Sequence, residues 1–214
     1  TVPSVVDPRQ NKVTTFDYDD RGNLLSRTEE GLLGDGQPFS YVTSYTYDAV
    51  GNKLTETDAN GHTTEYSYDA KDQLEQIADP LDGVTSYEYD ANGNRTSMTD
   101  ALDRITDYTY DVLNRLTQVT DPLSHTTVYG YDVDGNRTSV RDANGRTTNY
   151  TYDALNRLTR VTDPLLHTTD YAYDAVGNKI SVTDANSNTT TYTYDSLNRL
   201  TAVTDALDGQ VTYG

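Results

Sequence analysis

Cysteine and tryptophan are absent from the 214 residues, and methionine occurs once. Without a thiol there is no disulfide framework, no thiolate metal site and no cysteine nucleophile. No apolar run approaches the roughly 18 residues of a membrane-spanning helix, so membrane insertion is not expected. Cations are scarce, with 16 Lys and Arg against 34 Asp and Glu and a net charge of -18. Nucleic acid and anionic membranes are held by clustered Lys and Arg that displace counterions, so neither is an expected partner. Aliphatic content is low as well. Leu, Ile, Val and Phe make up 40 of 214 residues, and that fraction with this charge would by itself indicate disorder.

Periodicity overrules composition. A Tyr-x-Tyr-Asp unit recurs every 21 residues, with leading tyrosines Tyr45, Tyr66, Tyr87, Tyr108, Tyr129, Tyr150, Tyr171, Tyr192 and Tyr213, and Phe16-Asp-Tyr18-Asp19 is a related copy. Strict recurrence of this kind marks a repeat array. The nineteen tyrosines supply apolar area that the aliphatic count misses, and Tyr and Thr both favour strands. The expected organisation is the end of a preceding repeat over 1–15, a first repeat over 16–44 with an insertion near 31–40, eight 21-residue repeats over 45–212, and the start of another at 213–214. With repeats cut at both ends and no initiator Met, the chain reads as part of something larger.

One repeat shows the logic. In Thr147 to Pro164, Thr148, Tyr150 and Tyr152 alternate with polar or small residues, the period of two of a strand with one distinctive face. Arg157 to Thr162 then forms a short β-branched return strand. Leu158 and Val161 lie three apart, so they fall on opposite faces unless a bulge intervenes. Three residues after each motif Asp stand Gly22, Gly51, Asp72, Gly93, Asn114, Gly135, Asn156, Gly177 and Asn198, all types that tolerate a left-handed backbone. A second turn begins at Asp58, Asp79, Asp100, Asp121, Asp142, Asp163, Asp184 and Asp205. A 42-residue layer overlies this, because hairpins carrying Lys53, Arg95, Arg137 and Lys179 alternate with hairpins carrying Leu74, Leu116, Leu158 and Leu200 at the same place.

Tyr152-Asp-Ala-Leu-Asn-Arg-Leu-Thr-Arg-Val-Thr-Asp-Pro164, and the matching stretch from Tyr110 to Pro122, resemble the YD-repeat of the RHS family, which includes bacterial RHS proteins, Tc-toxin shell components and teneurins. The resemblance implies an all-β array of hairpins forming a long curved or spiralling, shell-like sheet. It also implies a secreted or cell-surface parent whose shell encloses or presents another component, such as a C-terminal toxin. The family's core-closing Asp-Pro-x-Gly-Leu segment is missing: Asp121-Pro122-Leu-Ser and Asp163-Pro164-Leu-Leu share only its first two residues. A self-cleavage site and a toxin therefore do not transfer to this chain. An extracellular fibre or adhesin-like surface binding glycans or proteins, with self-association through sheet edges, is the alternative.

Candidate chemistry is sparse. The turn aspartates are expected to accept backbone N–H groups locally. Asp132, Asp134, Asn136, Asp142 and Asn144 offer oxygen ligands for calcium, but they fit neither an EF-hand nor the glycine-rich nonapeptide repeat. His62, His125 and His167 all stand four residues before a leading Tyr, as variants of one turn slot. No nucleophile elbow or paired base accompanies them, so the segment is expected to be non-catalytic and to need no cofactor. The tyrosine rows suit a cross-strand packing ladder, with glycan stacking as the alternative.

Overall fold

The computed structural model describes residues 4–7 and 12–214, the first four as backbone only. Expectations for residues 1–3 and 8–11 lie outside the described residues. The chain divides into two compact units, Thr1–Asp107 and Tyr108–Gly214. The first contains β1 (Ser4–Asp7), β2 (Lys12–Tyr18), β3 (Leu24–Leu32), β4 (Pro38–Tyr47), β5 (Lys53–Thr57), β6 (Thr63–Tyr68), β7 (Leu74–Ala78), β8 (Val84–Tyr89) and β9 (Arg95–Thr99). The strand β10 (Ile105–Tyr110) runs into the second. That unit continues with β11 (Leu116–Thr120), β12 (Thr126–Tyr131), β13 (Arg137–Arg141), β14 (Thr147–Tyr152) and β15 (Leu158–Thr162). It ends with β16 (Thr168–Tyr173), β17 (Lys179–Thr183), β18 (Thr189–Tyr194), β19 (Leu200–Thr204) and β20 (Gln210–Thr212). All belong to one sheet. Within each unit, strands that follow one another in sequence pair antiparallel.

The Tyr-Asp turns share one device. Asp153 N–H donates to the Arg157 carbonyl at 3.0 Å, and Asn156 N–H donates back to the Asp153 carbonyl at 3.0 Å. The Asp153 Oδ1 accepts the N–H groups of Leu155 and Arg157. This is a type I turn closed by a left-handed residue, with Asp at its favoured first position. The nine residues named above as left-handed candidates all have positive φ, from 60° at Asn114, Asn156 and Asn198 to 104° at Gly177.

The opposite turns, which begin at Asp58 and its counterparts, use the same geometry. Their third residue after Asp also has positive φ: Gly61, Asp82, Asp103, Ser124, Gly145, Leu166, Ser187 and Asp208. Sequence reasoning missed these as a set because, although Gly and Asp stand at five of them, Ser and above all Leu do not advertise a left-handed backbone. Leu166, at φ 68°, is a position where an L side chain is strained.

A bulge settles the spacing of Leu158 and Val161. Tyr150 faces Val161, Thr151 faces Arg160, and Tyr152 faces Leu158, so Thr159 is the extra residue. Leu158 and Val161 thereby both join the tyrosine face. The same shift occurs in β2–β3, β4–β5, β6–β7, β8–β9, β12–β13, β16–β17 and β18–β19.

The insertion near 31–40 is a lengthened hairpin. Leu32 pairs Pro38, Gly31 pairs Phe39 and Glu30 pairs Ser40, and the tip from Leu33 to Gln37 turns through Gly36 at φ 81°. Pairing occupies backbone groups that a loop would have left to water.

No described side chain is fully buried, and among the described residues only Ala202, at 8% exposed, counts as buried. Stability therefore resides in contacts between successive hairpins, as in other one-dimensional repeat arrays.

Candidate functional site

Three kinds of contact join successive repeats, and they cluster at the edge where the Tyr-Asp turns stand. The first uses the second tyrosine of the motif. Tyr68, Tyr89, Tyr131, Tyr152, Tyr173 and Tyr194 donate their hydroxyls to the carbonyls of Lys53, Leu74, Leu116, Arg137, Leu158 and Lys179, at 2.9–3.0 Å. Each acceptor is the first residue of a return strand, and at Lys53, Leu74, Arg137, Leu158 and Lys179 that strand is bulged, where the ladder is disrupted. Burial pushes the Tyr68 and Tyr89 hydroxyls up from their ordinary pKa, which keeps them protonated as donors.

The second contact sets a cation over an aromatic ring. Lys53 lies 4.2 Å from the Tyr66 ring centre, Arg137 5.3 Å from Tyr150, and Lys179 4.9 Å from Tyr192. Hairpins of the other kind use Arg115 over Tyr131 at 4.7 Å and Arg157 over Tyr173 at 4.8 Å. The 42-residue alternation is thus an alternation in which tyrosine is covered, and opposite the leading tyrosines stand Ile77, Val140, Val161, Val182 and Val203, with Glu56 facing Tyr45 and Met98 facing Tyr87. Such a cation is worth about 0.5–1 kcal/mol at an exposed site.

The third contact runs turn to turn. Asn136 Nδ2 donates to Asn156 Oδ1 at 2.8 Å, and Asn178 Nδ2 to Asn198 Oδ1 at 3.0 Å. Arg115 reaches the Asp132 carbonyl at 2.8 Å, and Arg157 the Asp174 carbonyl at 2.9 Å. In the first unit Asn52 meets Asp72 Oδ1 at 3.1 Å.

On the opposite edge, the residue four after Asp turns back on its own aspartate. Arg104 and Arg146 place Nε 2.7 Å from Asp100 and Asp142 Oδ2. His62, His125 and His167 place Nδ1 2.9–3.1 Å from Asp58, Asp121 and Asp163. The histidines are therefore turn clasps in separate repeats. The Arg104 side chain holds Asp100 down to about 2, and backbone N–H donation from His62 and His125 lowers Asp58 and Asp121.

The calcium candidates fall into two groups. Asp132, Asp134 and Asn136 precede β13, and Asp142 and Asn144 follow it, so a five-residue strand separates them. The Asp132 carboxylate accepts Asp134 N–H, Asn136 N–H and the Asn136 amide, which lowers its pKa. Among the described residues no group of three His, Cys, Asp or Glu side chains is arranged to hold a metal ion.

The model of the RHS repeat matches residues 47–83, 68–105, 89–127, 110–143, 131–168 and 173–211. The chain belongs to the RHS repeat family. Solved structures agree on the fold. The crystal structure of TcdB2-TccC3 without its hypervariable C-terminal region is 24% identical, with a TM-score of 0.68 over 89% of this chain. TcdB2-TccC3-TEV is 23% identical, with a TM-score of 0.69 over 91%. A Photorhabdus luminescens Tc holotoxin pore is 20% identical, with a TM-score of 0.62 over 91%. This chain spans 12–14% of those chains. No curated protein matches the sequence. The RHS repeat segment shares the β-sheet fold of the matching part of those structures.

Proposed function

We propose that this RHS repeat segment is a non-catalytic wall element of a larger secreted or surface-exposed protein, in which the sheet encloses or presents another component such as a toxin domain. The observation that carries the reading is the coupling of repeats. In most of the repeats a hairpin is bonded to the next by a tyrosine hydroxyl, a covered ring and a turn-to-turn bond, with almost nothing among the described residues buried in a core. Such a lattice extends by adding repeats and devotes its polar groups to itself, which suits a wall better than a pocket. The three histidines and the arginines Arg104, Arg115, Arg146, Arg157 and Arg199 are already paired with an aspartate of their own turn.

Electron microscopy of the intact parent tests this. A closed chamber with density inside is the expected result. An open filament would favour the fibre or adhesin reading, with glycan or protein partners. Hydrolytic turnover that survives repurification and disappears in the His125→Ala or His167→Ala variant would overturn the non-catalytic assignment.

A further inference from the structure

The lengthened hairpin leaves part of one strand with a single neighbour. From Pro38 to Thr43, β4 pairs residue for residue with Leu32 to Arg27 of β3. On its other side, pairing with β5 begins only at Ser44, which faces Thr57. β5 then ends in the turn at Asp58, whose own N–H is bonded to the His62 carbonyl at 2.9 Å. The stretch before Ser44 is therefore an open strand edge inside the sheet order.

The direction of its backbone groups follows from the hairpin tip. Leu33 N–H donates to the Gln37 carbonyl at 2.7 Å, so these two residues form a hydrogen-bonded pair. Such pairs alternate along an antiparallel ladder, which turns Phe39, Tyr41 and Thr43 toward β3 and Ser40 and Val42 away from it. Ser40 and Val42 thus present N–H and C=O groups, two residues apart, with no backbone partner among the described residues. Open edges are ordinarily blunted by charge, by a bulge or by short length. Here no Asp, Glu, Lys or Arg occurs from Gly36 to Tyr47, the pairing with β3 runs without a bulge, and β4 is 10 residues long. Pro38 blocks only the end nearest the tip. Phe39 and Tyr41 stack with ring centres 5.0 Å apart, and Tyr41 and Val42 are 49% and 45% exposed.

We propose that Pro38–Thr43 is a docking edge for an extended, basic segment of another polypeptide, which adds as a strand beside β4. Outward backbone donors and acceptors at a two-residue spacing are matched by the backbone of a strand. The alternate side chains of that strand then pack beside Phe39 and Tyr41 on one face and Val42 on the other. Carboxylates flank the stretch, with Asp35 in the tip, Glu30 across from Ser40 and Asp58 next after Thr57, and they select a segment carrying Lys or Arg. A second copy offers no cation on its own β4 and brings a net charge of -18 against the same sign.

Hydrogen exchange read residue by residue in the folded chain, alone and with the peptide acetyl-Lys-Val-Tyr-Thr-Val-Lys-amide, tests this. The readout does not depend on whether the intact parent is a chamber or a filament. In the free chain the Ser40 and Val42 amides should exchange fast while Tyr41 and Thr43 are protected. With peptide at about ten times its Kd, exchange at Ser40 and Val42 should slow about tenfold by mass action, and the fully N-methylated peptide should have no effect. Val42→Pro, which removes an outward N–H and no ladder bond, should abolish the slowing at Ser40, whereas Val42→Thr should retain it. If Val42→Pro loses protection at Tyr41, Ser40→Lys is the second variant, because it keeps every backbone group and should weaken the basic peptide by placing a cation on the edge. Unchanged exchange with the peptide, equal slowing by its N-methylated form, or full binding by the variants would overturn the proposal. So would protection of both amides in the free chain, including protection that grows with protein concentration as pairing with a second copy requires.

Discussion

The two edges of each unit are built from one turn and behave differently. At the Tyr-Asp edge, Arg157 bonds its own Asp153 and then continues to the Asp174 carbonyl of the following repeat, with its guanidinium over Tyr173. At the opposite edge, Arg104 bonds Asp100 and stops. The side chains show the consequence in their exposure, 25% for Arg157 and 61% for Arg104. The cause lies one residue before the turn. Tyr-x-Tyr sits at the end of its strand, so the next repeat offers a ring beside the Tyr-Asp turn, whereas the residue before the opposite turn is Thr in most copies and Ala78 or Arg141 in the others. A long cation needs a flat apolar surface to lie on before it can reach the neighbour. One edge therefore couples the repeats, and the other closes each turn on itself.

Acid should dismantle both edges together, and this is the largest effect expected. The turn carboxylates that accept side-chain and backbone N–H groups, among them Asp90, Asp132, Asp142 and Asp184, have folded pKa values below the ordinary 3.8, and Asp100 is lowered to about 2. A depressed folded pKa contributes stability that is present above the unfolded value and lost as pH falls through the folded one. Melting temperature should hold down to about pH 4 and then drop steeply toward pH 2. A flat profile through that window would remove the turns from the account of stability.

Paired truncations separate the edges. Arg157→Ala removes a clasp, a ring contact and a bond to the next repeat, and should cost about 2 kcal/mol. Arg104→Ala removes an exposed clasp alone and should leave the denaturant midpoint unchanged within error. Equal losses at the two positions would erase the distinction.

A second pair asks whether the backbone device is the same at both edges. Gly135, at φ 91°, and Gly145, at φ 77°, belong to opposite edges. Gly135→Val and Gly145→Val should cost nearly the same, on the order of 1–2 kcal/mol each, since both force a β-branched residue into the left-handed region. A large inequality in chemical denaturation would mean that the two turns differ in more than their side chains.

How legible these features were in sequence depends on whether the cause was local. Strand, turn and repeat length follow from Tyr150, Asp153 and Asn156, because alternation and turn chemistry act within a few residues. The side of the sheet that Leu158 occupies was not decidable, since a bulge and a strict strand fit the same letters and only the pairing with Tyr152 chooses between them. The hydroxyl of Tyr173 has no visible task until that bulge places the Leu158 carbonyl beside it. The calcium candidates failed to converge for a related reason. Asp134 and Asn144 are close in the chain, but β13 runs the full width of the sheet between them.

The smallest effect tests the one place where the opposite edge departs from turn chemistry outright. Seven of its eight left-handed positions hold Gly, Asp or Ser, and the eighth holds Leu166 at φ 68°. Leu166 N–H still donates to the Asp163 carbonyl at 3.0 Å, so the turn closes despite the side chain. The cost of the left-handed conformation for an ordinary L residue is roughly 1–2 kcal/mol, and Asn relieves part of it through local hydrogen bonding. The leucine side chain offsets little of this, being 79% exposed. Leu166→Asn should therefore stabilise the chain by about 0.5–1 kcal/mol, while Asn156→Leu at the matching Tyr-Asp turn should destabilise it, because Asn156 also accepts the Asn136 amide. If Leu166→Asn lowers the melting temperature instead, Leu166 has a contact that compensates its backbone, and the exposed turn is covered at that point.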